Sequence, residues 1–235
     1  MNKGGILDSE QIKIMKTSSL DENKFISSAE IYYNEWGDIL RKELIGRDKP
    51  LIQIVLDQFK KRSEVFPEGQ LSAYHDSLNM VLGNINSLRI NYDYSFKDWK
   101  SLTGDGYFTT HNPKGNSIIC PAVNTSKEAR NLGIKGVAKK LILSARDVAI
   151  SLKSDGLKNM FVFTRPSGYS NYAKKHGKVS IEEYLSTKTN GKLSEFKDPI
   201  DLHIGLGAKI LTAFENARPA DSASKGYCVL MMYEI

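Results

Sequence analysis

The chain has 235 residues, 40% of them hydrophobic and 26% charged, an ordinary globular balance long enough for one large domain with its own core. No window approaches the ~18 consecutive apolar residues of a membrane span, which excludes a helical membrane protein and predicts no membrane partner. Cys120 and Cys228 are too few for a disulfide framework and lack metal-ligand spacing, so both read as reduced, buried thiols, and no metal is expected. The start, "MNKGGILDSEQ", has no apolar region after its lysine, which predicts no secretory signal and a cytoplasmic location. The net charge of +6 is spread thinly. Its densest groups, "FKKR" at 59–62 and "AKKHGK" at 173–178, are short and carry no interleaved aromatics. That pattern argues against nucleic acid and fits solvated surface, with an acidic partner or a phosphorylated cofactor as the second reading.

Residues 1–23 are polar and end in a helix start, "SSLDENKF". "KFISSAEIYYNEWGDILRKEL" and "PLIQIVLDQFKKR" space their apolar residues as two helices, the second with a proline in its first turn. "QLSAYHDSLNMVLGNINSLRI" reads as two antiparallel strands about "HDSLN", and "SFKDWKSLTGDGYFTTHNPKG" as a loop or short helix. "NSIICPAV" is a further strand with an irregular end at Pro121. From Ile134 the apolar positions Val137, Ala138, Leu141, Ile142, Ala145, Val148, Ala149 and Leu152 make a helical stripe that stops at Gly156. "KNMFVFTRP" follows as a buried strand. Between strand and helix lies "RNLGIKG", a turn whose backbone N–H groups, with the helix dipole, suit a phosphate. A plain helix-start turn is the competing account.

No G-x-x-x-x-G-K-[ST] or G-x-G-x-x-G motif is present, so nucleoside triphosphates and dinucleotides are not indicated. "RNLGIKG" instead resembles the Arg/Gln-x-x-Gly-x-Gly/Ala pyrophosphate loop of the GNAT superfamily of acyl-CoA-dependent acyltransferases. Arg130 and Gly133 match; Lys135 stands where Gly or Ala is usual, with Gly136 one place late. "DLHIGLGAKIL" resembles the family's second signature, with His203 in the place of its usual Tyr. The resemblance covers roughly residues 64–235. It implies an α/β fold: a mixed, mostly antiparallel, splayed sheet of six or seven strands with helices on both faces and acyl-CoA wedged at the splay. It also implies a domain scheme in which 1–63 is an N-terminal helical extension, 64–235 the acyl-CoA-binding core and 167–197 an insertion. The tyrosines of that insertion, Tyr169, Tyr172 and Tyr184, read as a solvated excursion, with a lid or docking surface as the alternative.

By the same resemblance the cofactor-binding residues are Val123, Arg130, Asn131, Leu132, Gly133, Ile134, Lys135 and Gly136. Thr164, His203 and Arg218 are similar to the Thr, His and Arg set of GNAT-like loading domains of polyketide synthases of the curacin type. Those domains decarboxylate malonyl or methylmalonyl thioesters and have been assigned acyl transfer to an acyl carrier protein. Decarboxylation needs donors for an enolate oxygen, which a Thr hydroxyl and a His N–H supply, and a carboxylate partner, which Arg supplies. The implied substrates are malonyl-CoA, methylmalonyl-CoA or acetyl-CoA, and an acyl carrier protein is the implied partner. The alternatives are an acetyl-CoA-dependent N-acetyltransferase acting on a small-molecule or protein amine, and a GNAT domain kept for sensing or scaffolding. Each residue also has a structural reading: Thr164 as a strand end, His203 as a packed core histidine, Arg218 as an exposed turn residue. Asp105, in "TGDG", reads equally as a substrate neighbour or a turn former. His75, His111 and His176 are expected at the surface.

Overall fold

The computed structural model describes residues 11–46, 48–189 and 196–235. Its elements run β1 (Ile12–Lys16), α1 (Glu22–Glu43), α2 (Leu51–Val65), β2 (Gln70–His75), β3 (Met80–Ile90), α3 (Trp99–Thr103), β4 (Ser117–Thr125), α4 (Lys127–Asn131) and α5 (Val137–Ser151). They continue through β5 (Asn159–Thr164), α6 (Tyr169–His176), α7 (Ile181–Thr189), α8 (Pro199–Gly205), β6 (Lys209–Phe214) and β7 (Cys228–Tyr233). The strands form one seven-stranded sheet in the order β1-β2-β3-β4-β5-β7-β6. The β4–β5 pair is parallel, while β1–β2, β2–β3, β5–β7 and β6–β7 are antiparallel. This is the mixed, mostly antiparallel α/β architecture expected from the sequence. Two strands are additions to that expectation. β1 lies in the polar N-terminal segment, where "IKIMK" acquires strand geometry through its register with β2, Ile12 opposite His75 to Lys16 opposite Leu71. β6 begins within "GAKIL", directly after the helix of the second signature.

The chain divides into two compact units, one made of the chain up to Leu88 with Ala122–Ser151, the other of Arg89–Pro121 with Leu152–Ile235. In the first, Asp21 caps α1 by accepting from the Lys24 N–H. The helix buries Ala29, Tyr32, Trp36 and Leu40 along one face, against Phe59 of α2, whose ring sits 5.6 Å from that of Tyr32. Arg62 is 1% exposed, with its guanidinium 4.8 Å from the Tyr32 ring centroid. A chain of buried amides and hydroxyls ties these helices to the strands. Trp36 Nε1 donates to Asn124 Oδ1 at 2.7 Å, Asn124 Nδ2 to Asn84 Oδ1 at 2.8 Å, and Asn84 Nδ2 to the Ser28 carbonyl at 2.7 Å. Gly83 permits the close approach, because a Cβ there would lie 2.4 Å from the Asn124 carbonyl oxygen. His75, expected at the surface, is fully buried at the end of β2, its Nδ1 accepting from the Leu78 N–H across the hairpin turn.

In the second unit Arg89, 4% exposed, donates from Nε to the Gly115 carbonyl at 2.6 Å and from Nη2 to the Asp155 carbonyl at 2.7 Å. The two ends of the segment that carries α3 are thereby fixed to their surroundings. Gly115 is required there, since a Cβ would fall 2.4 Å from the Ile90 carbonyl carbon. β5, β7 and the first half of β4 are almost wholly buried. Cys120 and Cys228 are both buried, as expected.

Candidate active site

The residues singled out by the sequence fall in both units. Those of the first unit follow β4, on which Val123 is half-buried. Ser126 caps α4 by accepting from the Ala129 N–H, and the five-residue helix is closed at its other end by glycine. Gly133 has φ +70°, its N–H bonds to the Arg130 carbonyl at 3.0 Å, and the Ile134 N–H bonds to the Ala129 carbonyl at 2.9 Å. This pair of bonds is a Schellman closure, which places Gly133 at the left-handed position and buries Ile134 behind it. The Gly133 N–H is thus committed to the backbone. Gly136, φ +81°, opens α5, its carbonyl accepting from the Lys140 N–H. The amides of Val137, Ala138 and Lys139 are therefore the first-turn groups without an intrahelical acceptor. Around them Asn131, Leu132, Lys135 and Lys139 are exposed. Arg130 folds back on β4, with Nη1 2.7 Å from the Thr125 carbonyl, 3.0 Å from Thr125 Oγ1 and 3.9 Å from Glu35. A Cβ at Gly133 or Gly136 would meet nothing within 4 Å, so backbone conformation, not crowding, is what calls for glycine there.

Thr164, His203 and Arg218 all lie in the second unit and all are buried, at 8%, 3% and 3% exposure. Thr164 ends β5 opposite Val229 of β7. His203 sits on α8, whose start is fixed by a capping box: Asp198 accepts from backbone N–H groups of the first turn, and the Asp201 side chain accepts from the Asp198 N–H. The His203 Nδ1 lies 2.8 Å from Tyr233 Oη. Burial pushes the imidazole pKa down from 6.5 to about 4, so the ring is neutral at physiological pH. When Tyr233 donates to Nδ1, the ring proton resides on Nε2. His203 on α8 and Thr164 at the end of β5 both belong to the second unit.

Cross-strand register relates these two residues. Thr164 pairs with Val229 and Met160 with Tyr233, so Tyr233 and Thr164 project from one face of the sheet, four residues apart along the strand. At ~3.3 Å per residue that is about 13 Å along the strand. The two side chains share a face without touching.

Arg218 differs from the exposed turn residue that its context also allowed. Its guanidinium stacks 4.3 Å from the Trp99 ring centroid. The Trp99 N–H bonds to the Ala217 carbonyl at 2.9 Å, which brings the start of α3 to the 217–226 loop. That loop is braced by Asp221, 1% exposed, whose Oδ1 accepts from Arg165 Nη2 at 2.6 Å and from the Ala223 N–H at 3.2 Å. Tyr233, Trp99 and Asp221 are not marked by the sequence. Each acts through a partner at least 30 residues away, and no local spacing marks such a pair. Asp105 faces Lys100 at 3.6 Å on a positive-φ turn, the turn-forming role. His111 is half-buried and His176 exposed. Among the described residues no group of three His, Cys, Asp or Glu is placed to hold a metal ion, and no helix is long and apolar enough to cross a membrane.

No protein-family model matches the chain. It is 30% identical over 172 residues to the probable hydrolase YhcX of Bacillus subtilis (strain 168), a match covering 72% of this chain and 31% of that protein. The chain thus spans about a third of the length of that curated relative. Among solved structures it is similar to the GphF GNAT-like decarboxylase in complex with isobutyryl-CoA, with a TM-score of 0.67, 19% identity, and 95% of this chain and 98% of that one covered. It is similar also to the loading GNATL domain of CurA from Lyngbya majuscula, with a TM-score of 0.63, 19% identity, and coverage of 95% and 96%. With its strand order and a match over 95% of its length, the chain has the fold of these two GNAT-like structures.

Proposed function

We propose that the chain acts on acyl thioesters, decarboxylating a malonyl or methylmalonyl group carried on CoA or on an acyl carrier protein, with transfer of the resulting acyl group as the accompanying activity. The observation that carries this reading is the state of His203. A buried imidazole that is neutral at physiological pH is a poor acid for a departing thiolate, which is the task a conventional N-acetyltransferase gives this position. Its Nε2–H is instead suited to stabilise an oxyanion without itself ionising.

In this reading Arg218 takes the substrate carboxylate before reaction, its plane already set by Trp99. The bond between the carboxylate carbon and the α-carbon breaks, CO₂ leaves, and the electron pair moves into the enolate of the thioester. His203 Nε2–H and Thr164 Oγ–H are the two donors offered to the oxygens of the malonyl group, and a proton from water then reaches the α-carbon. Taken by itself, the first unit offers the first-turn amides of α5, with Lys135 and Lys139, to a phosphate group. Support for the thioester class comes from the fold, since the GphF structure is of a GNAT-like decarboxylase with an acyl-CoA bound.

The test is incubation with malonyl-, methylmalonyl- and acetyl-CoA, with and without a carrier protein or an amine mixture, followed by mass spectrometry. Loss of CO₂ from a malonyl thioester is expected, and His203→Ala and Thr164→Val should each slow it by about 10²-fold while CoA binding survives. Acetylated amine with no CO₂ release would replace this reading with that of an N-acetyltransferase.

A further inference from the structure

The insertion at 167–197 was expected to be largely solvated. The structure makes its tyrosines a core instead. Tyr169 is 4% exposed and Tyr184 fully buried, with ring centroids 5.4 Å apart, and Tyr172 packs 5.2 Å from Tyr184. Gly168 is needed for this packing, because a Cβ there would meet Tyr184 Oη at 2.5 Å and Phe196 Cβ at 2.9 Å. Beneath the rings lies a cluster of ionisable groups. Tyr184 Oη donates to Asp198 Oδ2. Lys188, its side chain fully buried, donates from Nζ to Asp201 Oδ2 at 3.0 Å and to the Phe196 carbonyl, and lies 3.6 Å from Asp198 Oδ2.

These two aspartates are the capping box of α8. The helix has seven residues, too few to hold itself without its caps and tertiary contacts. Desolvation pushes the buried Asp198 carboxyl up while the Lys188 cation pulls it back down, and a protonated Asp198 would be a weaker acceptor for the backbone N–H groups it caps. Lys188 supplies that cation from α7, and Tyr184 adds a neutral donor.

We propose that Lys188 is a positioning residue for His203: by balancing Asp198 and Asp201 it fixes the start of α8, and so the insertion exists to hold the helix that presents the imidazole to Tyr233. The proposal rests on the reading of His203 as a catalytic group only for its functional consequence; its structural content is independent of turnover.

Native-state hydrogen exchange on the unmodified protein tests it first. Amides of α7 and α8 should open together, with matching exchange rates in the regime that reports stability. Exchange of α8 tenfold or more faster than α7 would overturn the proposal. NMR titration of the His203 ring in Lys188→Met supplies the second arm. The expected result is an imidazole pKa raised from about 4 toward 6.5, with α8 amides exchanging at least tenfold faster and Lys188→Arg recovering part of both. An unchanged titration in folded Lys188→Met would refute it. If Lys188→Met does not fold, the exchange experiment on the unmodified protein decides alone. Should these readouts behave as expected while His203→Ala leaves CO₂ release unchanged, the functional reading fails and the positioning role stands.

Discussion

Acidification below pH 6.5 should destabilise this protein through His203. The imidazole is 3% exposed and its pKa falls from 6.5 in the unfolded chain to about 4 in the folded one, so across that interval the unfolded state binds the extra proton. Stability is then independent of this group above pH 6.5 and is lost as pH falls toward 4, at ~1.4 kcal/mol per pH unit, about 3 kcal/mol in all. The comparison that isolates it is urea unfolding of the native protein and His203→Gln at pH 7.5, 5.5 and 4.5. Carboxylates titrate in both and cancel. At pH 7.5 the variant should be the weaker by about 1 kcal/mol, having lost the Tyr233 hydrogen bond. By pH 4.5 the order should invert, because the variant carries no buried group that must charge. A difference between the two proteins that stays constant across this range, or a ring pKa near 6.5 by NMR, would refute the assignment of a buried neutral imidazole.

Gly133→Asp should weaken CoA binding at least tenfold by calorimetry while the protein remains folded, since it forces a left-handed φ of +70° on a Cβ-bearing residue and sets a carboxylate beside the first-turn amides of α5. Unaltered affinity would remove the phosphate role from this turn. Gly115→Ala should cost more than ~2 kcal/mol in denaturant unfolding, because its Cβ meets the Ile90 backbone at 2.4 Å, whereas Gly205→Ala, with nothing within 4 Å, should change stability by less than ~0.5 kcal/mol. If an acidic carrier protein is the partner, its association should weaken from 50 to 300 mM salt, as surface charges are screened over ~8 Å at physiological ionic strength. Salt-independent binding would point to an apolar interface.

The periodic signals were read directly from the chain. The α5 stripe, the β2–β3 hairpin and the apolar run of β5 each repeat over several turns or residues, and burial of one face demands that repetition whatever the partner. The "RNLGIKG" turn was legible for the same local reason: a left-handed residue closing a helix calls for glycine, and Gly133 has φ +70°. Its backbone bonding was not, since whether a glycine N–H faces an anion or closes a Schellman pair depends on a helix only five residues long. β1 is not legible locally, because "IKIMK" becomes a strand by pairing with β2, 55 or more residues away. The tyrosines of the insertion looked solvated among their lysines, and only the packing of α6, α7 and α8 turned them inward. The states of the candidate site residues belong to tertiary structure altogether. His203 is neutral because the fold removes water from it, and Arg218 is stacked because Trp99 lies 119 positions earlier in the chain. Sequence names the groups that can ionise or donate; the surroundings that set their charge and aim are assembled from distant segments, and exist only when the chain is folded.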